Sequence, residues 1–269
     1  MVRLSTHNDI SGIVAVWKEA FGDSEKDIRF FLDFHYKPEN TVIFDFDGEV
    51  ASVLFLIDGD MNIKGKNFPS YYLYAACTLK KFRGRGMMSE MLDFAKNLAY
   101  QRNKFFIALK PAEDSLYDYY FRFGYQSVFS KRIINFSRND SLEFNSNNKT
   151  VDYDYFRWSE KSVEFAIEHH KYFGEYIIGN SNGYILYSIN NHILNVKKFT
   201  FPAEEFLRKI KNAASYHGVE SIRVELPYNS DLDLKDSEIV KSGMLLPVSE
   251  EAEHLIKTIK NAYLSLTLD

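Results

Sequence analysis

Between Tyr72 and Leu92 the chain reads Tyr-Leu-Tyr-Ala-Ala-Cys-Thr-Leu-Lys-Lys-Phe-Arg-Gly-Arg-Gly-Met-Met-Ser-Glu-Met-Leu: an apolar strand pattern, a basic turn with two glycines, and a helix start. A helix that begins at such a turn leaves its first backbone N–H groups without intrahelical acceptors. They point outward with the helix dipole behind them, which suits a phosphate. Arg83 and Arg85 add charge-assisted donors on either side of Gly84, so Arg83-Gly84-Arg85-Gly86 is the strongest anion-binding candidate in the sequence.

Other chemistries fit less well. The single cysteine, Cys77, sits in an apolar strand with no histidine nearby in sequence, which describes a buried structural thiol better than an acyl-carrying nucleophile. It also excludes an internal disulfide framework and suits a reducing compartment. The seven histidines are scattered, and His169 and His170 are adjacent rather than at ligand spacing, so no metal centre is expected. Gly84-x-Gly86-x-x-Ser89 lacks the acidic residue a dinucleotide fold needs about twenty positions on. Gly65-Lys66-Asn67 lacks the rest of a P-loop. A net charge of −4 with no basic segment argues against nucleic acid. With no leader sequence and no apolar run long enough to span a bilayer, a cytoplasmic protein without a membrane partner is expected.

The elements that must position the turn follow from periodicity. Ile10, Ile13, Val14, Trp17, Ala20 and Phe21 recur at helical spacing behind Thr6-x-x-Asp9, and a second helix spans roughly Glu25 to His35. Thr41 to Phe46 and Glu49 to Ile57 form a hairpin around Asp47-Gly48, and Gly59 to Asn67 reads as a connection or a further hairpin arm. Tyr71 to Leu79 alternates little, as a central strand buried on both faces would. A helix carries Met87, Met88, Met91, Leu92, Ala95, Leu98 and Ala99 on one face; then come a strand at Phe105 to Leu109, a short aromatic helix from Leu116 stopped by Gly124, and a strand from Tyr125 to Phe136.

This order, with its two motifs, resembles the GCN5-related N-acetyltransferases. The pyrophosphate motif of that family is Arg or Gln, two residues, Gly, one residue, then Gly or Ala; here Arg83, Gly86 and Met88 take those places, with Met88 larger than usual. A second match is the aromatic helix Leu116-Tyr-Asp-Tyr-Tyr120-Phe-Arg-Phe-Gly124-Tyr125. The resemblance implies an α/β (α+β) fold with a mixed central sheet flanked by helices, and acetyl-coenzyme A as co-substrate with no metal. Its pyrophosphate would lie on backbone N–H groups of Gly84, Arg85, Gly86, Met87 and Met88 beside the two arginines. Cys77, Thr78 and Leu79 would hold the pantetheine arm, one N–H polarising the thioester carbonyl. Such a donor is worth about 3 kcal/mol at a developing oxyanion. Tyr120 matches the tyrosine that protonates the departing thiolate, and a phenol with its ordinary pKa of about 10 is protonated at neutral pH.

The resemblance further implies direct attack by a primary amine, on a small molecule, peptide or protein terminus, in a ternary complex. For the base, Asp23, Glu25, Asp27, Asp58, Asp60 and Glu113 are loop or first-turn carboxylates, and the terminal carboxylate of Asp269 is a further candidate because some two-domain relatives use their terminus. The domains expected are an acetyltransferase domain at 1–137, a polar linker at 138–150 and a smaller, degenerate copy of the fold at 151–269. The second half is read as a helix at Glu160 to Tyr172, a hairpin around Asn190-Asn191, a helix after Pro202 stopped by Gly218, and a half-exposed strand through Ile222, Val224 and Leu226. Two other readings stand: a catalytically idle acyl-coenzyme A sensor, which would not need Tyr120, and a nucleotide binder using the same turn. A monomer or homodimer is expected.

Overall fold

A computed structural model describes residues 1–141, 153–228 and 237–265. The chain packs into two compact units that are not the contiguous blocks 1–137 and 151–269. Unit 1 comprises Met1–Ser127, Phe156–Ser162 and Gly243–Ile259; unit 2 comprises Val128–Tyr155, Val163–Ser242 and Lys260–Asp269. The strand expected to close the amino-terminal half therefore belongs mostly to unit 2. Most of the expected linker lies outside the described residues.

Unit 1 begins with β1 (Val2–Leu4), α1 (Ile10–Phe21) and α2 (Glu25–His35), followed by β2 (Thr41–Phe46), β3 (Glu49–Ile63) and β4 (Lys66–Thr78). Then come α3 (Met87–Gln101), β5 (Phe106–Leu109) and α4 (Ser115–Phe121). Thr6 N–H and Oγ1 donate to the Asp9 carboxylate, and Arg3 grips the same carboxylate with two nitrogens at 2.8 and 2.9 Å, which fixes the start of α1. Asp47 and Gly48, at φ 51° and 86°, supply the left-handed backbone a tight hairpin needs. Lys64 and Gly65 repeat the device at φ 49° and 78°, so the Gly59 to Asn67 region is a continuous hairpin rather than a loop. The strand order is β1-β2-β3-β4-β5, with α1 against β3 and β4 and α3 reaching β2 to β5. Trp17, Phe31, Phe55 and Tyr74 meet at ring separations of 4.9 to 5.7 Å, sealing α1 and α2 to the sheet.

Two later segments return to unit 1. In one, Phe156 and Trp158 of β7 (Tyr155–Trp158) cover Tyr72 at ring separations of 6.0 and 4.7 Å, and Arg157 holds Asp60 at 2.6 Å. Backbone contact there is so close that a Cβ on Gly59 would stand 2.5 Å from the Phe156 ring and 2.9 Å from Arg157 O. Gly59→Val is accordingly expected to cost about 3 kcal/mol, the upper end for overpacking, read as a shifted urea midpoint at constant slope.

β4 carries the geometry that matters. Its parallel pairing with β5 covers only Ser70–Tyr72, against Phe106–Ala108. On its other side it stays with β3 as far as Thr78, but the register slips between Phe55↔Tyr74 and Val53↔Cys77, which puts one extra residue on β4. Ala75 sits in this bulge at φ 49°. The bulge bends β4 away from β5, and among the described residues its backbone beyond Tyr72 has no strand on that edge.

Unit 2 holds most of β6 (Gln126–Ser137) and of α5 (Glu160–Tyr172), with β8 (Tyr176–Asn180), β9 (Gly183–Asn190), β10 (Ile193–Phe199), α6 (Ala203–Tyr216) and β11 (Ser221–Pro227). Its strands run β6-β11-β10-β9-β8. On one face Ile134, Ile185, Leu194 and Val224 pack under Phe206 and Ile210 of α6. The chain's remaining elements are β12 (Ser237–Pro247) and α7 (Glu250–Ile256). The second returning segment, Gly243–Pro247 within β12, pairs antiparallel with β5 in unit 1.

Candidate active site

The basic turn is built as its residues require. Gly84 and Gly86 are both left-handed, at φ 75° and 79°, and Gly86 caps α3. Neither would crowd a neighbour with a Cβ, so it is the backbone angle that calls for glycine here. The first helix N–H to find a backbone acceptor outside the regular ladder is that of Glu90, on Gly86 O at 3.2 Å. Among the described residues the N–H groups of Met87, Met88 and Ser89 are thus the unsatisfied donors of a helix start. Residues 83–86 are all exposed. Arg83 Nε donates to Thr78 O at 3.0 Å, tying the turn to the end of β4, and the Arg85 guanidinium lies 5.4 Å over the Phe82 ring. Neither arginine has a carboxylate partner among the described residues.

The three residues expected to hold a pantetheine arm differ in what they offer. Leu79 N–H is committed to Ala51 O at 3.0 Å, Thr78 O accepts from Arg83, and Thr78 Oγ1 accepts from Ser52. Cys77 is buried, and burial pushes its thiol up to about 12, so it stays protonated at neutral pH. The unpaired edge lies one turn of pleat earlier, around the bulge at Ala75. Sequence reasoning missed that placement because a bulge depends on register with β3, which no local pattern encodes.

On α4 the tyrosines separate. Tyr120 is buried, its ring 5.3 Å from Tyr119 and 5.5 Å from Tyr125, and burial with the neighbouring Tyr119 raises its pKa to about 12. Tyr119 is half-buried, its ring 5.1 Å from Phe123, and burial raises its pKa. Gly124, at φ 87°, ends the segment with room for little more than hydrogen: a Cβ would be 3.3 Å from Leu246.

Each loop carboxylate weighed as a base already has a partner. Asp23 accepts from Trp17 Nε1 at 2.7 Å, Glu25 holds Arg29, and Asp27 accepts from Ser24. Asp58 lies 2.9 Å from both Lys37 and Lys104; despite burial, those bonds hold its pKa below the usual value. Asp60 is held by Arg157, and Glu113 accepts from Ser115 Oγ. Asp269 lies outside the described residues. Among the described residues no group of three or more His, Cys, Asp or Glu could hold a metal, and no helix is long and apolar enough to cross a membrane.

Residues 1–128 match the family model of the acetyltransferase (GNAT) domain. No curated protein matches the chain. Among solved structures, a GCN5-related N-acetyltransferase from Anabaena variabilis superposes with a TM-score of 0.74 at 15% identity, covering 93% of this chain and 73% of its own. One from Kribbella flavida gives 0.71 at 14%, with 94% and 73% covered, and Eis1 from Mycobacterium abscessus gives 0.70 at 12%, with 94% and 75% covered. At such identities the likeness is one of fold: a mixed sheet flanked by helices.

Proposed function

We propose that the protein transfers an acetyl group from acetyl-coenzyme A to a primary amine. The observation that carries this reading is the combination on one chain segment of a strand bent off its neighbour at Ala75 and a glycine turn with open helix N–H donors. The turn would take the pyrophosphate on the N–H groups of residues 84–88, with Arg83 and Arg85 adding charge. The exposed edge of β4 around Ala75 and Cys77 would hold the pantetheine arm and orient a donor toward the thioester oxygen. The amine attacks the carbonyl carbon, the C–S bond breaks, and the sulfur leaves beside a phenol. Tyr120, protonated throughout the neutral range, supplies the proton or hydrogen bond to that sulfur.

Unit 2 supports the reading of a second, degenerate copy. β9 and β10 form an antiparallel hairpin, β10 bulges between Val196 and Lys198, α6 follows, and β11 returns parallel to β10 over residues 193–196 only. This repeats the β3-β4-α3-β5 path, bulge included. The cradle is missing from it. Thr200-Phe201-Pro202 replaces the glycine turn: Thr200 N–H is used by Tyr184 O, Pro202 has none, and Phe199 stacks on Phe206 at 3.8 Å.

Calorimetric titration with acetyl-coenzyme A tests the donor. The parent is expected to bind, and the Arg83→Ala, Arg85→Ala double variant to bind about thirtyfold more weakly, or roughly 2 kcal/mol for exposed charge-assisted contacts. No binding by the parent would overturn the assignment.

A further inference from the structure

The face of the unit 2 sheet away from α6 is polar where a structural face would be apolar. Ser188 and Asn190 on β9, Asn195 on β10, and Arg223 and Glu225 on β11 share it by strand alternation and register. The β10 bulge sets Lys197 and Lys198 together opposite Leu186 and turns Lys197 onto the same face. A cavity of about 550 Å³ opens there, walled by Phe165, His169, His170 and Phe173, and it adjoins a second of about 330 Å³ over Asn195 and Arg223. Ser188, Asn190, Lys197 and Glu225 line both, so the two form one groove. Ser188 and His170 are more than nine-tenths buried, so the groove has fixed polar groups at its base rather than only mobile surface ones.

Its charges do not cancel. Glu225 is taken by Lys131 at 2.7 Å, and Glu175 stands 3.0 Å from His170 Nε2. Among the described residues the Arg223 side chain has no ion pair and no hydrogen-bonded partner, and Lys197 shares the already engaged Glu175. Two cations on neighbouring strands suit a dianion. The amides and the hydroxyl suit neutral hydroxyl groups: Asn195 Nδ2 donates to Ile193 O at 3.0 Å, which leaves its Oδ1 as an acceptor. The wall of Phe165, His169 and Phe173, with rings 5.4 and 4.5 Å apart and tilted by 46° and 48°, offers an aromatic side against which the carbon skeleton of a small molecule can rest.

We infer that this groove binds a small hydroxylated phosphate monoester of the sugar-phosphate type, Arg223 and Lys197 taking the phosphate and Asn190, Asn195 and Ser188 the hydroxyls. The site shares no residue with the basic turn of unit 1 and does not depend on the proposed acyl transfer.

Ribose 5-phosphate is the probe, titrated into the full chain by calorimetry, with ribose and inorganic phosphate titrated separately. Saturable one-to-one binding is expected, at least tenfold tighter than either half. It is expected to weaken at least tenfold in Arg223→Gln and in Lys197→Gln, and to stay unchanged in the Arg83→Ala, Arg85→Ala variant. Lys197 is exposed, so its variant keeps the test intact if Arg223→Gln proves unstable. No saturable binding would overturn the inference. So would binding lost only with the unit 1 arginines, or inorganic phosphate matching the ester.

Discussion

Tyr120→Phe is expected to lower kcat for acetyl transfer by a factor of about 10² to 10³ while leaving the Kd for coenzyme A within twofold, since a positioned general acid contributes about that much. The isosteric ring keeps its packing against Tyr119 and Tyr125, so the melting temperature should hardly move. Burial at this position has two opposed consequences. It keeps the phenol protonated, because a pKa raised to about 12 means the neutral form persists to far higher pH than for a free tyrosine. It would also weaken the phenol as an acid toward a thiolate whose parent thiol ionises near 8.5, so full transfer would be uphill and a strong hydrogen bond to the leaving sulfur would carry much of the expected effect. The pH–rate profile follows. Rate should rise as the amine acceptor deprotonates, with no descending limb attributable to Tyr120 below about pH 11. A limb that appears near 9 and vanishes in Tyr120→Phe would contradict the buried phenol, and an unchanged kcat would remove it as the acid.

Residues 1–137 expressed alone are expected not to fold cooperatively, although they contain the whole motif region. The fragment lacks Phe156 and Trp158, which cover Tyr72, and the Gly243–Pro247 segment that pairs with β5 from Met244↔Leu109 to Pro247↔Phe106. Val248, Ala252 and Ile256, all buried, are missing as well. Burying a large apolar side chain is worth about 1.5–3 kcal/mol, so the loss is on the order of 10 kcal/mol, comparable to the whole stability of a domain. β5 would also become an open edge prone to aggregation. Circular dichroism with thermal unfolding decides: a sharp transition in the fragment would show that unit 1 does not need its returning segments.

The sequence was informative wherever structure is set by neighbours in the chain. The reading of α2 over Glu25–His35 matches to the residue, because Ser24 caps it and Ile28, Phe31 and Leu32 recur on one face. The glycine turn, the hairpin at Asp47-Gly48 and the alternation of Ser221–Pro227 were equally legible. What escaped depends on distant partners. Gly243–Pro247 is buried because β5 pairs with it, and nothing in its own pattern says which strand it will join. β8 and α7 are short, and no periodicity marked them in advance. At the candidate site, Tyr120 and the two arginines lie on the short helix and the glycine turn that their local patterns imply, but the use of Leu79 N–H by Ala51 and the bulge at Ala75 are matters of register.

Ala75 bears on how the protein can change over generations. A non-glycine residue at φ 49° costs about 1 kcal/mol, and glycine there would relieve it. Glycine would also free the backbone at the point where β4 leaves β5, loosening the donors that a thioester would need held still. The alanine therefore marks a position where selection for robustness and selection for turnover pull in opposite directions, and where a screen for thermostable descendants should return proteins that last longer and work more slowly.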